Sequence, residues 1–159
     1  MPHVTIEYVI LMPVLILQIF LFPIFANSLM NTWVDSRRTL ALQDVAGQLG
    51  SAVQQLYFSL NHDTIPAGTV TYSPGLPPFI ESSYYMGNAT LTLNKNPGSN
   101  PSFLQLAVTL IGTSTSVTTT VILGSNVLWQ QSIFVSNSTN ACVNAQKFSN
   151  GTILLEFGG

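Results

Sequence analysis

The stretch YVILMPVLILQIFLFPIFA, residues 8–26, runs for nineteen residues without a charge, and Gln18 is its one strongly polar side chain. At a rise of about 1.5 Å per residue, a helix of that length matches the roughly 30 Å hydrocarbon core of a bilayer. It is too long for the hydrophobic region of a secretory signal peptide, and no small-residue cleavage site of the A-x-A kind follows it. The expectation is a retained helix of transmembrane type. A carboxylate, Glu7, stands at its head, and two helix breakers, Pro13 and Pro23, lie inside it.

Working outward from this run, the helical pattern continues from about Thr5 to Leu60 but changes character after NTWVDSRRT. Leu42, Val45, Leu49, Val53, Leu56 and Leu60 recur at spacings of three and four, which is one stripe of a 3.6-period helix. Ala41, Ala46, Gly47, Gly50, Ser51 and Ala52 are small, and small residues allow neighbouring helices to approach closely. Gly47 and Gly50 each cost about 1 kcal/mol relative to Ala in an isolated helix, so close packing is the expected compensation.

At NHDTIPAGT the composition turns over. Pro66 and Gly68 end the helical pattern, and β-branched runs then alternate with turn residues. The expected strands are Thr69–Tyr72, Ala89–Lys95, Phe103–Ile111, Ser116–Leu123, Val127–Val135, Val143–Phe148 and Thr152–Phe157, separated by SPGLPP, NPGSNP, GSN, SNSTN and SNG. Short strands at that density make an antiparallel all-β sandwich of immunoglobulin-like size. The fold class is therefore α+β: a long hydrophobic N-terminal helix over residues 1–62, then a sandwich head over 63–159.

Only 6% of the residues are charged, and after Asp63 the charges are Glu81, Lys95, Lys147 and Glu156. Ser, Thr, Asn and Gln must solvate the head instead, as in GTSTSVTTT. A net charge of −2 with no basic cluster gives no footprint for nucleic acid and no steering field. Asn88, Asn137 and Asn150 each open an N-glycosylation triplet, all in the polar part of the chain, and so favour an exported head. Cys142 is the single cysteine, which excludes an intramolecular disulfide and reads as a small buried thiol.

No catalytic constellation is visible. His3 and His62 lie far apart, and neither H-E-x-x-H, C-x-x-C, G-x-S-x-G nor a glycine-rich phosphate loop occurs. The His62-Asp63 pair sits at the helix-to-head turn, where Asn and Asp are ordinary turn formers. The chain is expected to be no enzyme and to need no cofactor and no metal.

A short lead-in, an apolar helix with an early Glu, an amphipathic continuation and a β-rich, Ser/Thr/Asn-rich head together resemble a type IV pilin, and more closely the archaeal pilins and archaellins. The residues that carry the likeness are Glu7, Pro23 and the 8–26 run. Counted from His3, Glu7 falls where the family places its glutamate; counted from Met1 it lies two positions late. Arg37 and Arg38 flank the apolar run on its C-terminal side, so the positive-inside rule alone would keep the head in the cytoplasm. A basic leader of the kind found on pilin precursors would reverse that orientation.

The resemblance implies a subunit pool in the cytoplasmic membrane, a prepilin peptidase, a secretion ATPase and assembly into an extracellular homo-oligomeric filament for surface adhesion. It implies that the Glu7 carboxylate pairs with the N-terminal amine of an adjacent subunit and that Pro23 marks where the helix can unwind. Read from the residues alone, Glu7 is equally an interfacial residue favoured by the helix dipole, and Pro23 a simple kink. Trp33 marks the membrane interface before export. An archaellin serving motility is the alternative within the family. A membrane-anchored monomeric binding domain is the alternative outside it, although the stripe from Leu40 to Leu60 is out of place in a soluble linker.

Overall fold

A computed structural model describes residues 3–92 and 101–158, with side chains from Val9 onward. One α-helix, α1, spans His3–Leu60 and continues through Pro13 and Pro23. Eight strands follow among the described residues: β1 Gly68–Tyr72, β2 Tyr85–Thr92, β3 Ser102–Leu110, β4 Ser116–Leu123, β5 Val127–Trp129, β6 Ile133–Val135, β7 Cys142–Lys147 and β8 Ile153–Gly158. They form two four-stranded sheets, ordered β1-β7-β8-β5 and β4-β3-β2-β6. The architecture is α+β, with a β-sandwich head. Its pairings are antiparallel except for β5 with β8, which run parallel.

The chain divides into two compact units, residues 1–37 and 38–159. The boundary expected at 62/63 falls in the turn between the end of α1 at Leu60 and the start of β1 at Gly68, but packing draws its line much earlier. The reason is the apolar stripe. Leu42, Val45, Leu49, Val53, Leu56 and Leu60 are all buried, together with Ala46 and Tyr57, in one cluster with the inner faces of both sheets. The sheets contribute alternate residues, as a pleated strand requires: Leu104, Leu106, Val108 and Leu110 from β3, Val143 and Ala145 from β7, and Ile153, Leu155 and Phe157 from β8. The last part of the long helix, Arg38–Leu60, is thus a core element of the head.

This corrects the expected use of three of the six small residues. Ala46, Gly50 and Ala52 face the head's own interior, not a neighbouring helix. A Cβ on Gly50 would lie 3.1 Å from Val121 Cγ2, so this glycine lets the helix settle onto β4. On β2, a Cβ on Gly87 would lie 3.3 Å from Phe134 Cβ and 3.4 Å from Leu49 Cδ2. That approach is open to a glycine inside β2 because it carries no side chain.

Two other expectations change. The strand expected over Val127–Val135 breaks at Gln130–Ser132, and its halves join different sheets: β5 lies beside β8 and β6 beside β2. Side-chain bonding replaces the ladder at the break, where Phe157 N donates to Ser132 Oγ at 2.7 Å and Ser132 Oγ donates to Gln130 O at 3.0 Å. The strand expected from Ala89 begins instead at Tyr85, whose ring is fully buried and stacks on Phe134 with centroids 6.4 Å apart. The end of that expected strand, residues 93–95, lies outside the described residues.

Side-chain contacts fasten the helix within the head. Tyr57 Oη donates to Asn126 Oδ1 at 2.7 Å, and Asn126 Nδ2 donates to Asn61 Oδ1 and to Gly151 O, each at 2.8 Å. Gln54 Nε2 donates to Ile122 O on β4, an edge strand. After the helix ends, Lys147 Nζ donates to the carbonyls of His62 and Ile65, both at 2.9 Å. Arg38 Nε lies 2.8 Å from Glu81 Oε2, and Glu81 itself holds a left-handed φ of 56°.

Candidate functional site

The functional feature with the clearest physical demand is the first unit, residues 1–37. From Val9 to Trp33, Val, Ile, Leu, Met and Phe point outward all around the helix, and each of them is exposed. A helix apolar on every side is stable only among lipid tails or other apolar helices. This one is long and apolar enough to cross a membrane. Backbone polarity does not oppose that setting, because helical hydrogen bonds are satisfied internally. The exceptions are the carbonyls of Val9 and Ile19, which face Pro13 and Pro23 and so find no i+4 N–H.

At the C-terminal side of this run the surface changes. Trp33 is exposed and the Arg37 guanidinium sits 4.8 Å from its ring centroid, a cation–π contact. Thr32 Oγ1 donates to Ser28 O at 2.9 Å, which satisfies a hydroxyl without solvent. An aromatic paired with a cation beside an apolar run is the composition of a membrane–water boundary.

The residues singled out from the sequence do not converge on one place. Pro23 is a helical residue of the apolar run. The backbone of Glu7 belongs to the same helix, but its side chain lies outside the described residues, as does that of His3. The three candidate glycosylation asparagines are all exposed and separate. Asn88 lies within β2 on its solvent face, Asn137 follows β6, and Asn150 lies between β7 and β8, where its Oδ1 accepts from Thr152 N at 3.0 Å.

Among the described residues, no three His, Cys, Asp or Glu side chains come together as a metal site. His62 Nδ1 lies 2.9 Å from Thr64 Oγ1, and its backbone carbonyl serves Lys147. Cys142 is half-buried, with Sγ 3.6 Å from Asn144 Oδ1. The perturbed titrations belong to core tyrosines. Burial pushes the Tyr85 phenol up to about 12, and burial raises Tyr57 against a smaller, opposing backbone hydrogen bond at Gly124. Both shifts come from packing.

Sequence reasoning missed the polar side of the helix within the head. Gln43, Asp44, Gln48, Ser51 and Gln55 border a groove whose opposite wall is Tyr72 and Pro74. Their spacing was legible as the complement of the apolar stripe, but the facing wall comes from residues more than fifteen positions away. Compared with known protein families, curated proteins and solved structures, the chain matches none.

Proposed function

We propose that the protein is the structural subunit of an extracellular filament of the type IV pilin kind, serving surface adhesion. The observation that carries this reading is a helix apolar on every side from Val9 to Ala26, continuous in sequence with a helical stripe built into a β-sandwich core. A plain membrane anchor needs only the first part. The second part is an integral core element of the head, which an anchor alone does not require. The subunit waits in the cytoplasmic membrane, and sister helices then replace lipid around the same apolar surface. The reading includes processing by a prepilin peptidase, export by a secretion ATPase and no enzymatic activity, cofactor or nucleic-acid partner.

In this reading Glu7 is a lone carboxylate in an apolar bundle and pairs with an N-terminal amine of an adjacent subunit. Pro23 leaves the Ile19 carbonyl without its helical donor, making it the weak point at which the helix extends. The deciding experiment compares membrane-bound and shear-released pools for wild type and Glu7→Gln, with subunits identified by mass spectrometry. The variant should insert normally and yield far fewer filaments, since breaking a buried ion pair costs about 3–5 kcal/mol. Equal filament yields would remove the pairing role. Absence of filaments from wild-type cells, with a monodisperse monomer in detergent, would favour a membrane-anchored binding domain instead.

A further inference from the structure

We infer that the groove between the polar side of α1 and the β1 edge is a binding site for a neutral saccharide. The groove lies wholly within the unit formed by residues 38–159. Its volume of about 450 Å³ is within the roughly 300–1,000 Å³ range of small-molecule sites. It exists because β1 is an edge strand. Val70 and Tyr72 pair with the buried Ala145 and Val143 and so share their inward side, yet they remain 41% and 42% exposed. The sandwich is open along this margin.

The lining sets the ligand class. Asp44 Oδ2 accepts from Gln48 Nε2 at 2.9 Å, which fixes a carboxylate and an amide side by side. Adjacent acceptor and donor groups match two neighbouring sugar hydroxyls, each of which can both donate and accept. The Gln43 and Gln55 amides and the Ser51 hydroxyl add further groups of the same kind. Tyr72 supplies a half-exposed aromatic ring, an apolar surface for the C–H face of a pyranose. No Lys or Arg lines the groove, so a phosphate or sulfate finds no counter-charge and meets Asp44 instead. A metal cation finds a single carboxylate.

Gly47 is an independent indication. It lies in the helix interior, where Gly costs about 1 kcal/mol relative to Ala. Unlike Gly50 and Gly87, whose bare backbones are explained by Val121 and Leu49, a Cβ on Gly47 would meet nothing within 4 Å. Within the head, no packing contact requires the missing side chain. A ligand resting against the helix does.

The site does not rest on the filament reading, and its test uses the full chain in micelles of a detergent without a sugar headgroup. Saturation-transfer NMR with maltotriose, mannotriose, chitotriose and lactose should show transfer to at least one, with millimolar or tighter dissociation and shifts of the Gln43, Gln48 and Gln55 side-chain amides. Tyr72→Ala should weaken binding about tenfold, the loss of one ring contact and the surface it buries. Gly47→Gln should abolish binding by filling the groove, and because no neighbouring atom is displaced its circular dichroism should match wild type. No transfer from any of the four sugars would overturn the proposal. So would binding that survives Gly47→Gln, or equal binding of a sulfated heparin fragment.

Discussion

Leu49→Ala tests directly whether the Arg38–Leu60 part of the helix is core. Leu49 is fully buried, lies in the middle of the helical stripe and reaches Gly87 on β2, so truncation removes three carbons from a site bounded on the far side by a strand backbone. The strand cannot collapse into the void without breaking its pairing with β3 and β6. The expected loss therefore lies near the upper part of the measured range for such truncations, about 3–5 kcal/mol. With a slope of about 1.5–2 kcal/mol per molar, this lowers the urea midpoint of the head by about 2 M. The assay is urea unfolding of the full chain in micelles, followed by Trp129 fluorescence in a Trp33→Phe background. Trp129 packs edge-on against Phe157 with centroids 4.8 Å apart and so reports on the sandwich alone. Gln48→Ala, one residue away on the exposed side, is the control and should move the midpoint by less than about 0.3 M. A Leu49→Ala shift as small as the control's would refute the claim that this part of the helix belongs to the head's core.

Alkali should destabilise the head through Tyr85: because burial raises its folded pKa from 10.0 to about 12, its contribution is complete below pH 10 and is lost as pH rises through 12. The loss approaches ~2–3 kcal/mol, and Tyr85→Phe should flatten that part of the profile in a pH series of urea melts. Gly124→Ala should cost about 1–3 kcal/mol because the new methyl collides with the Tyr57 hydroxyl; adding Tyr57→Phe should return part of that loss, which a double-mutant cycle in thermal unfolding reads as a coupling of opposite sign. In the proposed assembly, filaments should keep their sedimentable fraction between low and molar salt, since a chain with 6% charged residues offers little for ions to screen; dissolution at high salt would contradict this.

What the sequence determined by itself was everything set by local periodicity. The length of the apolar run, the 3.6-period stripe from Leu42 to Leu60 and the β-branched segments all follow from side-chain chemistry repeated at fixed spacing; the first two fall in α1 and the segments fall in strands, with Val127–Val135 divided between β5 and β6. Strand β4, Ser116–Leu123, has the bounds read from its pattern. Periodicity tells a helix which side to bury but not against what. The stripe and the small residues beside it would serve equally against sister helices or against a sheet, and only the long-range approach of Gly50 to Val121 and Leu49 to Gly87 decides for the sheet. The break at Gln130–Ser132 was illegible for the same reason, since it depends on Phe157, twenty-five residues from Ser132, supplying the donor that ends the strand. The saccharide groove lies furthest from the sequence. Its helical wall is a run of ordinary polar side chains, and it becomes a site only because the edge strand β1 brings Tyr72 opposite them.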